Sequence, residues 1–291
     1  MSQQTDSLSR IQFVTGQGNL PKVAVHTPWS DAEIYLHGAQ VTHFKKRDEA
    51  PLLFLSQSSR FQTDSPIRGG IPICFPWFGP KGGVDGQPMH GFGRLKEWEL
   101  KEVVQLQSGE VSLTFHWADS FEGAKFSVDY VVTVGKELSV DFRVTNQSAG
   151  DFVFEEFLHT YFQVGDIQQV SVIGLKGVDY LDKTDKYARK TETAEIIKIS
   201  SEVDRTYLNT TSTVEIQDLA LKRKIIVEKQ RSQTSVVWNP WIERAKQMAD
   251  LGDEEYKTMV CVESGNAGEN KIKLPAGKTS SLEIRLRSVR L

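Results

Sequence analysis

From residue 111 onward the chain keeps returning to one pattern, an apolar or aromatic residue followed by a polar one. VSLTFHW (111–117), FSVDYVVTV (126–134), LSVDFRVTN (138–146), FVFEEFLHTYFQV (152–164), STVEIQDLA (212–220), RKIIVEKQ (223–230), TSVVWNP (234–240), TMVCVES (258–264) and SLEIRLRSV (281–289) are β-branched or aromatic and largely alternating. Alternation with period two belongs to strands with one buried face. Turn chemistry separates them, with Gln-Ser-Gly at 107–109, Gly-Lys at 135–136, Asn-Gln-Ser at 146–148 and Pro-Ala-Gly at 275–277. Strands so spaced, with few helices between them, predict an all-β chain, its antiparallel sheets packed as a large sandwich. Only WIERAKQMAD (241–250) has helical composition, and Asn239-Pro240 before it supplies a natural start. No Gly/Ser- or Pro-rich linker and no repeat divides residues 1–291, so a single domain is expected.

Composition narrows the partners. The chain has 291 residues, 39% hydrophobic and 25% charged, with a net charge of −3. That is enough apolar material for a core, and there is no basic field to attract nucleic acid or anionic lipid. Any anionic ligand must be held by a few local cations. No apolar run reaches the ~18 residues of a membrane span. The N-terminal MSQQTDSLSR is polar and lacks the apolar core of a signal peptide. A cytoplasmic protein is expected, or a plastid one if a transit peptide has been removed. The two cysteines, Cys74 and Cys261, suit buried free thiols in a reducing compartment. The six histidines show no HxxxH spacing, and no cysteine lies at a ligand interval, so no metal is expected. Nucleotide-binding glycine loops and a GxSxG elbow are absent.

Strand parity singles out two polar side chains. In 152–162, Phe152, Phe154, Leu158 and Phe162 share one face, while Glu155, Phe157, His159 and Tyr161 share the other. The second face, aromatic with a histidine and a carboxylate, reads as a groove floor. In 259–264, Val260 and Val262 share one face and Met259, Cys261 and Glu263 the other. Alone, His159 is equally a hydrogen-bonded sheet residue, and Glu263 a solvated carboxylate at a strand end. Together they make an acid–base pair available at neutral pH.

Cations and glycines cluster earlier. RGGIPICFPWFGP (68–80) is too rich in proline and glycine for a helix or a central strand. Its apolar residues Ile73, Phe75 and Trp77 read as anchors that hold Arg68 still. MHGFGR (89–94) adds His90 and Arg94. Arg68, His90 and Arg94 suit one pocket for phosphate or carboxylate, or the arginines pair with local acids such as Asp64 and Glu97.

The ordered series RGGIPICFPWFGP, HGFGR, FLHTYF, WNPWIERAKQMADLGDEEY and VCVESGN, spanning about residues 68–264, resembles the glucose-6-phosphate 1-epimerases. These belong to the galactose mutarotase-like (aldose 1-epimerase) superfamily, and the similarity is strongest to the plant apospory-associated protein C-like branch. The resemblance implies a β-sandwich with a sugar lying across a concave sheet face. It also implies cofactor-independent exchange of the α and β anomers of a hexose 6-phosphate; a monomer is expected. Carried over by motif, it makes His159 the general acid and Glu263 the general base. It assigns Arg68 and Arg94 to the sugar phosphate, places His90 near the substrate and gives Asp204 of EVDRTYLN the sugar hydroxyls. Met89 stands where the family often has glutamine, which bears on substrate choice unless Gln87 substitutes. A free-aldose mutarotase and a catalytically idle carbohydrate-binding protein on the same fold are the alternatives.

Overall fold

The structure is a computed structural model that describes residues 10–82 and 86–291; the polar N-terminal stretch before Arg10 lies outside the described residues. Among the described residues all paired strands run antiparallel, in sheets of nine, eight, four and two strands. The expected strands are found. Val111–Phe121, Ala124–Val134, Leu138–Asn146, Val214–Asp218, Arg223–Gln230 and Thr279–Arg290 lie in the nine-stranded sheet. Thr234–Asn239 and Met259–Asn266 are neighbours in the eight-stranded one. The structure adds a four-stranded sheet of Arg10–Thr15, Pro21–His26, Ser30–Tyr35 and Gln40–Lys46. One continuous apolar core runs through these sheets, from Val23 and Val41 through Phe115 and Phe142 to Val260 and Leu286.

Two expected elements are shorter than the sequence pattern. The run 152–164 is broken into Phe152–Phe154, Glu156–Leu158 and Tyr161–Gln163. Glu155 is the first break: its carboxylate accepts from the backbone N–H groups of Phe78 (2.8 Å) and Gly268 (2.8 Å), tying three segments together. His159 and Thr160 are the second; the His159 N–H turns to Pro72 O (3.0 Å). Alternation nonetheless survives both breaks. Phe152, Phe154, Leu158 and Phe162 enter the main core, while Phe157 and Tyr161 pack in separate clusters on the opposite face. The helix occupies only Trp241–Lys246, with Pro240 before it and the Trp241 N–H donating to Asn239 Oδ1 (2.9 Å). It ends in tight i→i+3 turns, Gln247 N to Arg244 O and Met248 N to Ala245 O, which swing the following loop back over the eight-stranded sheet.

The proline-rich segment behaves as an anchored strap. Ile73–Cys74 forms a two-residue strand at the edge of the eight-stranded sheet, against Glu156–Leu158. Phe75 is fully buried, with ring centroids 5.1 Å from Phe126, 5.3 Å from Phe154 and 5.5 Å from Phe142. Its carbonyl accepts the N–H groups of Phe92 and Gly93, so the same residue fixes the loop that carries Arg94. Gly70 has φ +63°, and a Cβ there would lie 2.1 Å from Val41 O, so only glycine lets the chain cross this strand directly after Arg68.

Candidate active site

The eight-stranded sheet presents two rows of side chains on its outer face, fixed by register. Thr206 pairs with Val236, and Val236 with Glu263. Leu158 opposite Ser264 and Tyr161 opposite Cys261 continue one register across the break, which sets His159 opposite Glu263. The second row is Asp204, Trp238, Cys261 and Tyr161. Residues a hundred apart in sequence therefore become nearest neighbours on one face. Thr206, Glu263, His159, Asp204 and Trp238 of these rows line a groove of ≈ 1100 Å³ that also takes in Arg68, His90, Arg94 and Lys183.

His159 Nε2 lies 3.3 Å from Glu263 Oε1. His159 is 7% exposed and Glu263 1%, so both are withdrawn from water and Glu263 is not a solvated carboxylate at a strand end. His159 Nδ1 and Glu263 Oε2 have no hydrogen-bond partner. The imidazole stacks on Tyr161 (centroids 4.8 Å, 11° between planes) and meets the edge of Trp238 at 5.9 Å. Burial, then Arg94 and Arg68, drive the His159 pKa well below its ordinary value. Burial raises that of Glu263 well above the carboxylate range, Asp204 adds to it, and Lys183 and Arg94 oppose it. Two groups so perturbed, in contact and in a groove, form a candidate acid–base pair.

The cations differ in how they are held. Arg68 donates through Nε (3.2 Å) and Nη2 (2.9 Å) to Asp250 Oδ2, and through Nη1 to the Tyr161 hydroxyl (2.8 Å). Its carboxylate partner is therefore neither Asp64 nor Glu97 but a residue of the loop after the helix. Burial works against the Arg68 charge, but Tyr161 and Asp250 together outweigh it and hold its pKa above the usual value. Arg94, on the short turn Gly93–Leu95, is 7% exposed. Its Nη2 donates to Met89 O (2.8 Å), its Nε has no partner, and among the described residues no carboxylate pairs with it. Burial, with nearby Arg68 adding to it, lowers its pKa, and the more distant Asp250 opposes this only in part. His90 Nδ1 accepts the Gly79 N–H (3.1 Å), which leaves Nε2 as the protonated nitrogen of a neutral ring. Burial and then Arg94 keep it neutral, and its ring lies 5.5 Å from that of His159.

Asp204 ion-pairs with Lys183 at 3.0 Å, yet its Oδ1 has no aligned hydrogen bond. Burial raises its pKa. Met89 is half exposed at the groove rim, while Gln87 is exposed and does not line the groove. The sequence reading put Tyr161 on the groove-facing side but gave it no role, and it missed Lys183, Trp238 and Asp250; Lys183 and Asp250 look like ordinary surface charges in KTDK and MADLG.

Among the described residues, His159, Cys261 and Glu263 place ligand-type atoms within 4.8 Å of one another. Spacing rules overlooked this trio because strand register, not sequence interval, assembles it. Burial holds the Cys261 thiol well above its usual pKa, so it offers a neutral thiol rather than the thiolate a metal takes. Both cysteines are free and buried, as expected. No described helix is long and apolar enough to cross a membrane.

The aldose 1-epimerase family profile matches residues 22–287. A protein of Cenchrus ciliaris described as "Putative glucose-6-phosphate 1-epimerase" is 39% identical over 275 residues, 89% of this chain and 81% of that one. An Escherichia coli protein with the same description is 38% identical over 257 residues, 87% and 85% of the two chains. The crystal structure of a "putative mutarotase" from Salmonella typhimurium superposes with a TM-score of 0.89 at 31% identity, covering 100% of this chain and 96% of that one. Sequence, fold and buried acid–base groove agree: the chain belongs to the aldose 1-epimerase family and is a sugar mutarotase.

Proposed function

We propose that this chain interconverts the α and β anomers of a hexose 6-phosphate, D-glucose 6-phosphate foremost. Arg94 carries the reading. A guanidinium 7% exposed, with an unpartnered Nε and no carboxylate partner among the described residues, is a desolvated charge in need of a counter-ion. It lines the same groove as His159 and Glu263. A phosphate supplies that counter-ion at the far end of a sugar whose anomeric carbon lies over the pair. Glu263 takes the proton of the anomeric hydroxyl while His159 protonates the ring oxygen. The hemiacetal opens, the carbonyl carbon rotates, and the ring closes on the other face with the two roles exchanged. The bond between the anomeric carbon and the ring oxygen breaks and re-forms, two protons move and no electrons are gained or lost, so the step calls for no cofactor. In this reading Asp204 and His90, which line the same groove, take the sugar hydroxyls.

One observation favours an unphosphorylated aldose instead: Arg68 is already paired with Asp250. Turnover separates the readings. Anomer exchange is followed with an anomer-specific dehydrogenase and corrected for spontaneous mutarotation, for glucose 6-phosphate and for glucose. Preference for the phosphorylated sugar is expected, as is a loss of about 10²–10⁴-fold in His159→Ala and in Glu263→Ala with the fold intact. Equal or better turnover of glucose sinks the phosphate assignment. Near-wild-type rates in either variant sink the acid–base assignment.

A further inference from the structure

We propose that an anion seated on Arg94 sets the proton arrangement of the His159–Glu263 pair, so that the substrate's own phosphate arms the general acid. The inference rests on the hexose-phosphate reading above and goes beyond it by making the phosphate part of the chemistry as well as of binding.

The geometry confines a proton. His159 Nε2 and Glu263 Oε1 face each other at 3.3 Å, and Nδ1 and Oε2 are buried without partners. Two arrangements with the same number of protons are therefore open to the pair: carboxylic acid with neutral imidazole, or carboxylate with imidazolium. Ring opening as derived above needs the second.

The surroundings are asymmetric. After burial, Arg94 and Arg68 bear most on His159, whereas Lys183 and Asp204 bear most on Glu263, with Arg94 behind them. His90 adds no charge while neutral. Burial raises the pKa values of Tyr161, Cys261 and Cys74, which keeps the acidic groups that touch the pair from carrying charge at neutral pH. Uncompensated positive charge thus sits at the imidazole end and drives the proton onto Glu263 in the empty site.

Arg68 has Asp250 and Lys183 has Asp204, but Arg94 has no carboxylate among the described residues. Asp250 takes the Nε–Nη2 edge of Arg68 and Tyr161 one hydrogen of Nη1, which leaves a hydrogen on each terminal nitrogen for a ligand. A phosphate between Arg94 and those hydrogens puts negative charge where the imbalance lies. The proton then passes from Glu263 Oε1 to His159 Nε2; the O–H bond breaks, an N–H bond forms, and nothing else changes. Carboxylate base and imidazolium acid are both in place when the sugar phosphate arrives.

The test reads the imidazole directly. Protein carrying 15N-histidine is examined at pH 7 with and without inorganic phosphate, with His159 assigned by comparison with His159→Asn. The expected result is a neutral His159 ring in free protein, a doubly protonated ring at saturating phosphate, and no phosphate response in Arg94→Met. A ring whose state does not change with phosphate overturns the proposal. Rate offers a second reading on unmodified protein. Glucose and inorganic phosphate together supply the substrate in two pieces, and phosphate is expected to accelerate glucose mutarotation by about tenfold or more. Inhibition, or no effect, overturns the proposal as well. Failure of wild-type protein to turn over glucose 6-phosphate would instead remove the functional reading, so the two failures are distinguishable.

Discussion

Lys229→Met should stabilise the protein at pH 7 and lose that advantage as the pH rises. Lys229 is 8% exposed. Its Nζ donates to Thr234 O (3.1 Å) and Ser235 Oγ (2.7 Å) on the strand next to that of Glu263, and among the described residues no carboxylate ion-pairs with it. Burial alone lowers its pKa to about 7. In the unfolded chain the ordinary value of about 10.4 returns, so between these values the unfolded state binds more protons and stability rises with pH. Integrating that difference gives a penalty on folding of roughly 4 kcal/mol at pH 7 and about 2 kcal/mol at pH 9. Methionine fills similar space without the charge but forfeits two hydrogen bonds, about 2 kcal/mol together. Thr234 O keeps the Ser232 hydroxyl (3.1 Å), which limits that loss. The variant should be more stable by about 2 kcal/mol at pH 7 and equal to wild type near pH 9. Urea denaturation at the two pH values measures this. Glu156 titrates in the same window with the opposite sign. Burial raises its pKa to about 8, so its contribution to stability falls as the pH climbs toward that value. The difference between variant and wild type cancels this background. Curves that stay parallel from pH 7 to 9 would refute the reasoning.

Two further changes probe the strap and the cation it holds. Tyr161→Phe removes the acceptor of Arg68 Nη1 but keeps the ring stacked on His159. A hydrogen bond to a charged group is worth ~1.5–3 kcal/mol. Steady-state kinetics should show KM for glucose 6-phosphate rising by about tenfold or more, with kcat and glucose turnover little changed; a fall in kcat on both sugars contradicts this. Phe75→Ala empties a site ringed by Phe126, Phe142 and Phe154 and should cost about 3–5 kcal/mol in denaturant unfolding. A loss below ~1 kcal/mol would mean the strap is not anchored there.

Alternation alone made the strand content legible, because a pleat puts neighbouring side chains on opposite faces wherever it occurs. It also placed His159 and Glu263 on groove-facing positions, each within its own strand. The same pattern did not reveal where a run breaks. FVFEEFLHTYFQV reads as one strand, yet Glu155 leaves the ladder to bind the N–H groups of Phe78 and Gly268, contacts invisible from local sequence. The early strands of residues 10–46 and the true length of the helix were likewise settled by packing.

Residue types and motif order in the sequence determined the sheet class, the family, and a small set of groups able to carry acid–base and anion chemistry. Tertiary structure decided who meets whom. Register alone set His159 opposite Glu263, and a returning loop, not a neighbour in sequence, brought Asp250 to Arg68. It also left Arg94 buried with no carboxylate partner among the described residues, the feature on which the proposed phosphate preference rests. The physical reason is one of range. Side-chain facing is a property of a few consecutive residues, whereas burial, pairing and proton affinity depend on every segment folded against a group.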